Sequence, residues 1–193
     1  MRIIAGEYRG RSLKTTTGPG FRPAMGKVRE ALFSILESRG TIWEETLVLD
    51  LFAGSGSLGF EALSRGARGA MFVESAPNAV RVIRENAKLL QIEEGRVAVL
   101  DNEAGKVLGR PPAEPFSLVF IDPPYKLNLL ERCLSLLVKN NWLAEGALVN
   151  AEVEARLAFH PDRLPETITS ALELETDRAY GQTRVLLWKR RIQ

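Results

Sequence analysis

The sequence predicts an α/β fold: a mostly parallel, Rossmann-like seven-stranded sheet whose C-terminal strands are antiparallel, with an N-terminal β-hairpin extension. Three observations carry this. From Leu47 onward, short apolar runs alternate with helical stretches, the pattern of parallel strands covered on both faces. A glycine turn, Gly54-Ser55-Gly56-Ser57-Leu58-Gly59, follows the first apolar run directly. The last two strand-like runs, 171–178 and 183–190, are joined only by Ala179-Tyr180-Gly181-Gln182. That connection is too short for a crossover, so these strands run antiparallel.

The elements follow in order. Residues 2–15 alternate loosely around Tyr8-Arg9-Gly10-Arg11, which predicts a short hairpin turning at Gly10. Gly18-Pro19-Gly20 marks a loop. Val28, Ala31, Leu32, Ile35 and Leu36 share one face of a helix over 25–38. Strands are then expected at 47–52, 70–73, 96–100, 116–121 and 147–151, with helices near 57–65, 76–91, 104–108 and 128–139. The proline-bearing segments 109–115 and 160–165 read as surface loops. The resulting organisation is a basic extension over 1–24 and one domain over 25–193, and 193 residues leave no room for two complete domains.

Lys plus Arg number 26 and Asp plus Glu 24, for a net charge of +2. The distribution is uneven: residues 1–30 carry net +5 and the remainder net −3. A basic arm on a slightly acidic body fits a polyanionic partner, and Arg2, Arg9, Arg11, Lys14 and Arg22 are its candidate RNA contacts. With 45% hydrophobic and 26% charged residues, the chain is globular rather than disordered. No apolar run approaches the roughly 20 residues of a membrane span, and the N-terminus lacks a signal-peptide core, so a cytoplasmic protein without membrane contact is expected. A monomer is expected as well. Cys133 and His160 are the only residues of their types. One cysteine excludes an internal disulfide, one cysteine with one histidine excludes a Cys/His zinc cluster, and no metal is expected. Cys133 shares a helix face with Leu129, Leu130, Leu134 and Leu137 and reads as core, whereas His160 reads as exposed.

The chemistry concentrates at strand ends. Gly54, Gly56 and Gly59 satisfy G-x-G-x-x-G, and Glu74 follows Gly54 by twenty residues at the end of the next strand. This pattern also marks dinucleotide sites, so it does not choose a cofactor alone. Its common physics is a turn without Cβ atoms and a carboxylate able to accept hydrogen bonds from ribose hydroxyls. Asp50, just before the glycines, would repel a pyrophosphate and attract the ammonium and sulfonium of S-adenosylmethionine. The competing reading of Asp50 is a helix-capping carboxylate. Phe52, Ala53, Ser55 and Ser75 complete the expected cofactor lining. At the third strand end, Asp101, Asn102 and Glu103 are candidates for the adenine amine, or an ordinary polar cap; Asn102 and Glu103 are assigned to the cofactor.

The fourth strand delivers Asp122-Pro123-Pro124-Tyr125. Two prolines fix two φ angles and remove two amide donors, leaving a stiff corner of acceptors. Such a corner suits an exocyclic amine. Asp122 and the Pro123 carbonyl accept its two N–H groups, and Tyr125 stacks on the base. Asp122 also lies within reach of the cofactor. Positioning supplies much of the acceleration, of the order of 7–11 kcal/mol in favourable cases.

These residues resemble the class I S-adenosylmethionine-dependent methyltransferases that modify amine nitrogens. A closer resemblance covers nearly the whole chain. Arg2-Ile-Ile-Ala-Gly-Glu-Tyr-Arg-Gly-Arg-Ser-Leu13, Arg22-Pro23 with Val28-Arg29-Glu30-Ala31-Leu32-Phe33, the run from Asp50 to Ala67, and Tyr180-Gly-Gln-Thr183 are similar to the RsmD family. The resemblance implies methylation of the N2 amine of one guanine in 16S ribosomal RNA, on small-subunit particles rather than naked RNA. It implies that the glycines and Glu74 bind the cofactor, that Asp122, Pro123 and Tyr125 hold the guanine, and that the N-terminal arginines meet RNA. Two departures stand out. Ala24-Met25-Gly26-Lys27 replaces the usual Thr and Asp or Asn before the Val-Arg-Glu helix, and Tyr125 replaces the commoner Phe.

Three alternatives have distinct requirements. A DNA adenine-N6 or other RNA methyltransferase shares the acceptor corner; sequence-selective DNA methylation normally needs a further recognition domain, for which little chain remains. An NAD-dependent oxidoreductase needs a catalytic acid-base, for which His160 in its proline-rich loop is a poor choice. A cofactor-free RNA-binding module has no use for the Asp-Pro-Pro-Tyr corner.

Overall fold

The computed structural model describes residues 1–15, 25–123 and 127–192; Arg22, Pro124 and Tyr125 lie outside the described residues. Strands β1 (Leu47–Leu51), β2 (Gly69–Glu74), β3 (Val97–Asp101), β4 (Phe116–Ile121), β5 (Leu143–Glu154), β6 (Leu172–Tyr180) and β7 (Thr183–Arg190) form one sheet. Their order is β3-β2-β1-β4-β5-β7-β6. The first five are parallel, and β7 runs antiparallel to both β5 and β6. The order reverses after β1, so the carboxyl ends of β1 and β4 lie side by side beneath the crevice where such sheets bind ligands.

Helices cover both faces. Helices α1 (Met25–Ser38), α2 (Ser57–Ser64) and α3 (Pro77–Leu90) pack on one face, where Leu32, Phe33, Phe60, Leu63 and Ile83 meet Val48, Phe72, Leu118 and Phe120. Helices α4 (Ala104–Val107), α5 (Leu127–Lys139) and α6 (Glu166–Thr169) cover the other, with Leu130, Cys133, Leu134 and Leu137 against Leu49, Val119, Ile121 and Val149. Cys133 is buried, as its helix-face neighbours require, and His160 is exposed.

Strand β5 starts at Leu143 and runs to Glu154, longer than the apolar run 147–151. The added length carries Gly146 at φ 69° and an irregular register between Phe116 and Leu118 of β4. Segment 160–165 lies largely at the surface, with His160, Asp162, Arg163 and Pro165 exposed. It contains a 3-10 turn over Pro161–Arg163, and flanking Phe159 and Leu164 are buried, Phe159 edge-on against Trp188.

The N-terminal arm is a broad hairpin. Arg2 pairs with Ser12 in one antiparallel bridge, and the Gly10 N–H donates to the Ile3 carbonyl at 3.0 Å, so the turn spans residues 4–9 rather than Gly10 alone. Ile3, Tyr8 and Leu13 are buried against the α1–α3 layer.

Candidate active site

The parallel register gathers the expected residues at one sheet edge. Leu51 pairs with Val73 on one side and Ile121 on the other, and Glu74 pairs with Asp101. Asp50, Glu74, Asp101 and Asp122 therefore end four neighbouring strands. The turn after β1 begins with Phe52 at φ 58°, a left-handed conformation costly for a non-glycine residue. Ala53 then donates its N–H to the Val73 carbonyl at 3.2 Å, pinning the turn to β2.

The three motif glycines do different work. A Cβ on Gly56 would lie 2.6 Å from the Phe60 ring, and one on Gly59 would lie 2.3 Å from the Phe72 ring. Both let α2 sit tightly on the sheet. Gly54, at φ 56°, faces open space, with no atom within 4 Å of a Cβ placed there. It is the glycine of the set that leaves room for a ligand.

Glu74 is held firmly: its Oε2 accepts from the Gly54 N–H at 2.9 Å, and its Oε1 accepts from the Ser75 and Ala76 N–H groups at 2.8 Å each. The carboxylate thus locks the glycine turn to the β2 end while keeping acceptor capacity. Asp50 takes the capping role in this structure. It is buried, and its Oδ2 accepts from the Gly59 N–H in the first turn of α2 at 3.0 Å. Burial pushes its carboxyl well above the usual range; Gly59 opposes that shift, and Asp122, Glu74 and Glu152 add to it. Asn102 is exposed, and its Oδ1 accepts from the Glu103 N–H at 2.9 Å, while no side chain caps the first turn of α4. The exposed Glu103 reaches Lys106 at 3.4 Å.

Asp122 is exposed at the end of β4 and Pro123 is half-buried beside it. Ile121 pairs with Ala151, which sets Asp122 next to Glu152 of β5. Glu152 is a site residue that the sequence reading missed, because it lies beyond the apolar run taken to end β5. The detectable signal is alternation: Leu148, Asn150 and Glu152 share one face. Burial and the neighbouring Asp122 push the Glu152 carboxyl up to about 8, against the pull of Arg29.

The arm reaches this site through buried polar groups that the sequence reading also missed. Glu61 of α2, fully buried, accepts from the Ile4 and Ala5 N–H groups at 2.8 and 3.0 Å and pairs with Arg65 at 3.1 Å. Ser64 Oγ accepts from the Tyr8 N–H at 2.9 Å. Asn86 of α3 exchanges hydrogen bonds with the Lys14 backbone and donates to the Ser55 carbonyl at 3.0 Å, tying arm to glycine turn. Buried Arg29 of α1 donates to the Arg2 carbonyl and Met1 Sδ. Of the expected RNA contacts, Arg2, Arg9, Arg11 and Lys14 are all exposed. Arg11 donates to the Leu89 and Leu90 carbonyls at the end of α3, and Lys14 pairs with Glu85 at 2.9 Å.

Residues 1–189 match the family described as "Conserved hypothetical protein 95". The chain is 36% identical to the Ribosomal RNA small subunit methyltransferase D of Escherichia coli K12 over 193 residues, covering all of this chain and 91% of that one. It belongs to the RsmD family. A Haemophilus influenzae member carrying the same name is 40% identical over 155 residues, covering 80% of this chain and 79% of that one. Among solved structures, yhhF from Escherichia coli superposes with a TM-score of 0.83 at 35% identity, covering 100% of this chain and 99% of that chain. The magnesium protoporphyrin IX methyltransferase of Synechocystis PCC 6803, solved with bound SAM, shares the fold at a TM-score of 0.68 and 12% identity, over 90% of this chain and 86% of that one.

Proposed function

We propose that this RsmD-family protein transfers a methyl group from S-adenosylmethionine to the N2 amine of a guanine in 16S ribosomal RNA of small-subunit particles. The observation that carries this is the adjacency of two strand ends: the glycine turn after β1 and Asp122-Pro123 after β4, brought together by the Leu51–Ile121 pairing. The names of the Escherichia coli and Haemophilus influenzae relatives support the RNA substrate class.

The residues present fit the cofactor. Gly54 leaves open space where a side chain would intrude, and Glu74 is fixed at the β2 end with acceptor capacity for ribose hydroxyls. Phe52, Ala53, Ser55, Ser75, Asn102 and Glu103 are the further residues assigned to the cofactor, on the turns that follow β1, β2 and β3. When bound, S-adenosylmethionine supplies a methyl group already activated by its sulfonium.

The chain's own task is to place the amine. Asp122 and the Pro123 carbonyl accept its N–H groups and turn the nitrogen lone pair toward the cofactor side of the edge. Tyr125 stacks on the base, which leaves its helix or loop to enter the site. Arg2 and Arg9 contact phosphates, with Arg11, Lys14 and Arg22 extending the basic arm.

The test is methyl transfer from labelled S-adenosylmethionine to undermethylated small-subunit particles, followed by nucleoside analysis. N2-methylguanosine is expected; label on adenine N6 would favour the other amine-directed reading. Asp122→Ala is expected to cut turnover by at least about a hundredfold while cofactor affinity stays within a few fold. Lost cofactor binding with retained turnover at saturation would show that Asp122 serves the cofactor instead.

A further inference from the structure

Asp122 and Glu152 leave adjacent parallel strands at the same level, one residue beyond the Ile121–Ala151 pair. Strands lie about 4.8 Å apart and the Asp122 charge acts on the Glu152 carboxyl, so the two groups share the space at the sheet edge, where Asp122 is exposed and Glu152 half-buried. Two residues back, Asn150 is fully buried and neither of its side-chain polar atoms has a hydrogen-bond partner. Below Glu152 the face is therefore closed, and above it lies the sheet edge that receives the ligands. The charged groups facing Glu152 are Asp122 from β4 and Arg29 from α1, with Asp50 of β1 on the same face. Strand β7 presents the apolar Val185 directly opposite.

Two neighbouring carboxyl groups in such a space resist being ionised together. With Glu152 pushed up to about 8, chiefly by burial, the pair holds one proton at neutral pH. A sulfonium bound at the same edge is a full positive charge and removes much of that resistance.

We propose that Glu152 is the proton carrier of the methylation cycle: it releases its proton when the cationic cofactor binds and takes one from the target amine when that cation is consumed. The proposal rests on the reading of the chain as an S-adenosylmethionine-dependent amine methyltransferase. The balance closes. A C–N bond forms, the S–CH3 bond breaks with its electron pair left on sulfur, and one N–H proton passes by way of Asp122 to the Glu152 carboxylate. The site loses a cation at sulfur and an anion at Glu152 together, so its net charge is unchanged. Release of the demethylated cofactor leaves Glu152 protonated, ready for the next cycle.

Calorimetry of the full chain at pH 7, in buffers of different ionisation heat, reads proton release directly. The expected result is release of most of one proton on binding S-adenosylmethionine and little on binding S-adenosylhomocysteine, which shares every group except the sulfonium. Affinity for the former should rise by up to about tenfold per pH unit between pH 6 and 8, with a flatter profile for the latter. Glu152→Gln should abolish the proton release while still binding both. Release persisting in that variant would assign the proton to another group, Asp50 first, and overturn the proposal. A carbon-13 titration of the wild-type carboxyl groups checks the same point without the variant: a Glu152 midpoint in the ordinary carboxylate range overturns it. Binding without proton release defeats the proposal alone, whereas no binding of S-adenosylmethionine defeats the functional reading with it.

Discussion

Asp50 shows how one side chain answers two demands. Its hydrogen bond to the Gly59 N–H makes it the cap of α2, and its charge stands beneath the ligand edge. The two roles separate by substitution. Asp50→Ala removes the acceptor and is expected to cost about 1 kcal/mol, a fall of about 2–4 °C in thermal midpoint for a chain of this size. Asp50→Asn keeps an acceptor oxygen and removes a carboxyl group whose ionisation burial opposes, so its midpoint should hold or rise. Scanning calorimetry of both variants decides: equal losses would mean that the charge, not the acceptor, stabilises the helix. The acid before the glycines was legible in the sequence, and so was the capping alternative. Which alternative holds depends on a hydrogen bond spanning nine residues, and spacing alone does not choose its direction. Glu152 was less legible because a glutamate past an apolar run looks like a strand's solvated end.

At the scale of elements, the arm is held by backbone contacts rather than by its charges. Gly6, at φ 82°, lies so close to α2 that a Cβ would fall 1.8 Å from the Ser64 carbonyl oxygen. Gly6→Ala must therefore lift the arm from α2, breaking the Glu7–Ser64 bond and straining those of Ile4 and Ala5 to Glu61. Limited trypsin digestion is the measurement: cleavage after Arg9 or Arg11 should accelerate at least about tenfold relative to wild type. Unchanged cleavage would mean that the contact relaxes without release. The sequence made the arm visible through its excess of arginine and lysine, but it pointed only outward, to RNA. The inward half depends on Glu61, Ser64 and Asn86, polar residues on helices whose partners are main-chain groups more than fifty residues away. No local pattern records such partners.

For the whole molecule, the strand sequence and the antiparallel end were readable because apolar runs, a glycine turn and a short connection each have one economical arrangement. The electrostatics of the assembled sheet were not, since they arise from neighbours set by register. They make a global prediction. Burial raises the carboxyl groups of Asp50 and Glu152, so the folded protein binds more protons than the unfolded chain above about pH 4.5. Unfolding above that pH therefore releases protons, and stability declines as pH rises from about 5 to 8. Thermal midpoints across that range should fall for the wild type, and Glu152→Gln should flatten the slope. A midpoint that climbs toward pH 8 would contradict the burial of these groups. Asp177, lowered by its hydrogen bond to Arg184, acts only in more acid solution, where its protonation removes stability.

The burial of Glu61 also bears on how this chain can be cut. Its carboxylate has no solvent and depends on two main-chain N–H groups from residues 4 and 5, with Arg65 as its ionic partner. A truncation that began after residue 15 would remove both donors and uncover the apolar seat of Ile3, Tyr8 and Leu13. The first fifteen residues are thus a cork as much as a hand. They seal the α1–α2 layer that the rest of the fold cannot close alone, and whatever grips them from outside pulls on the stopper of the core.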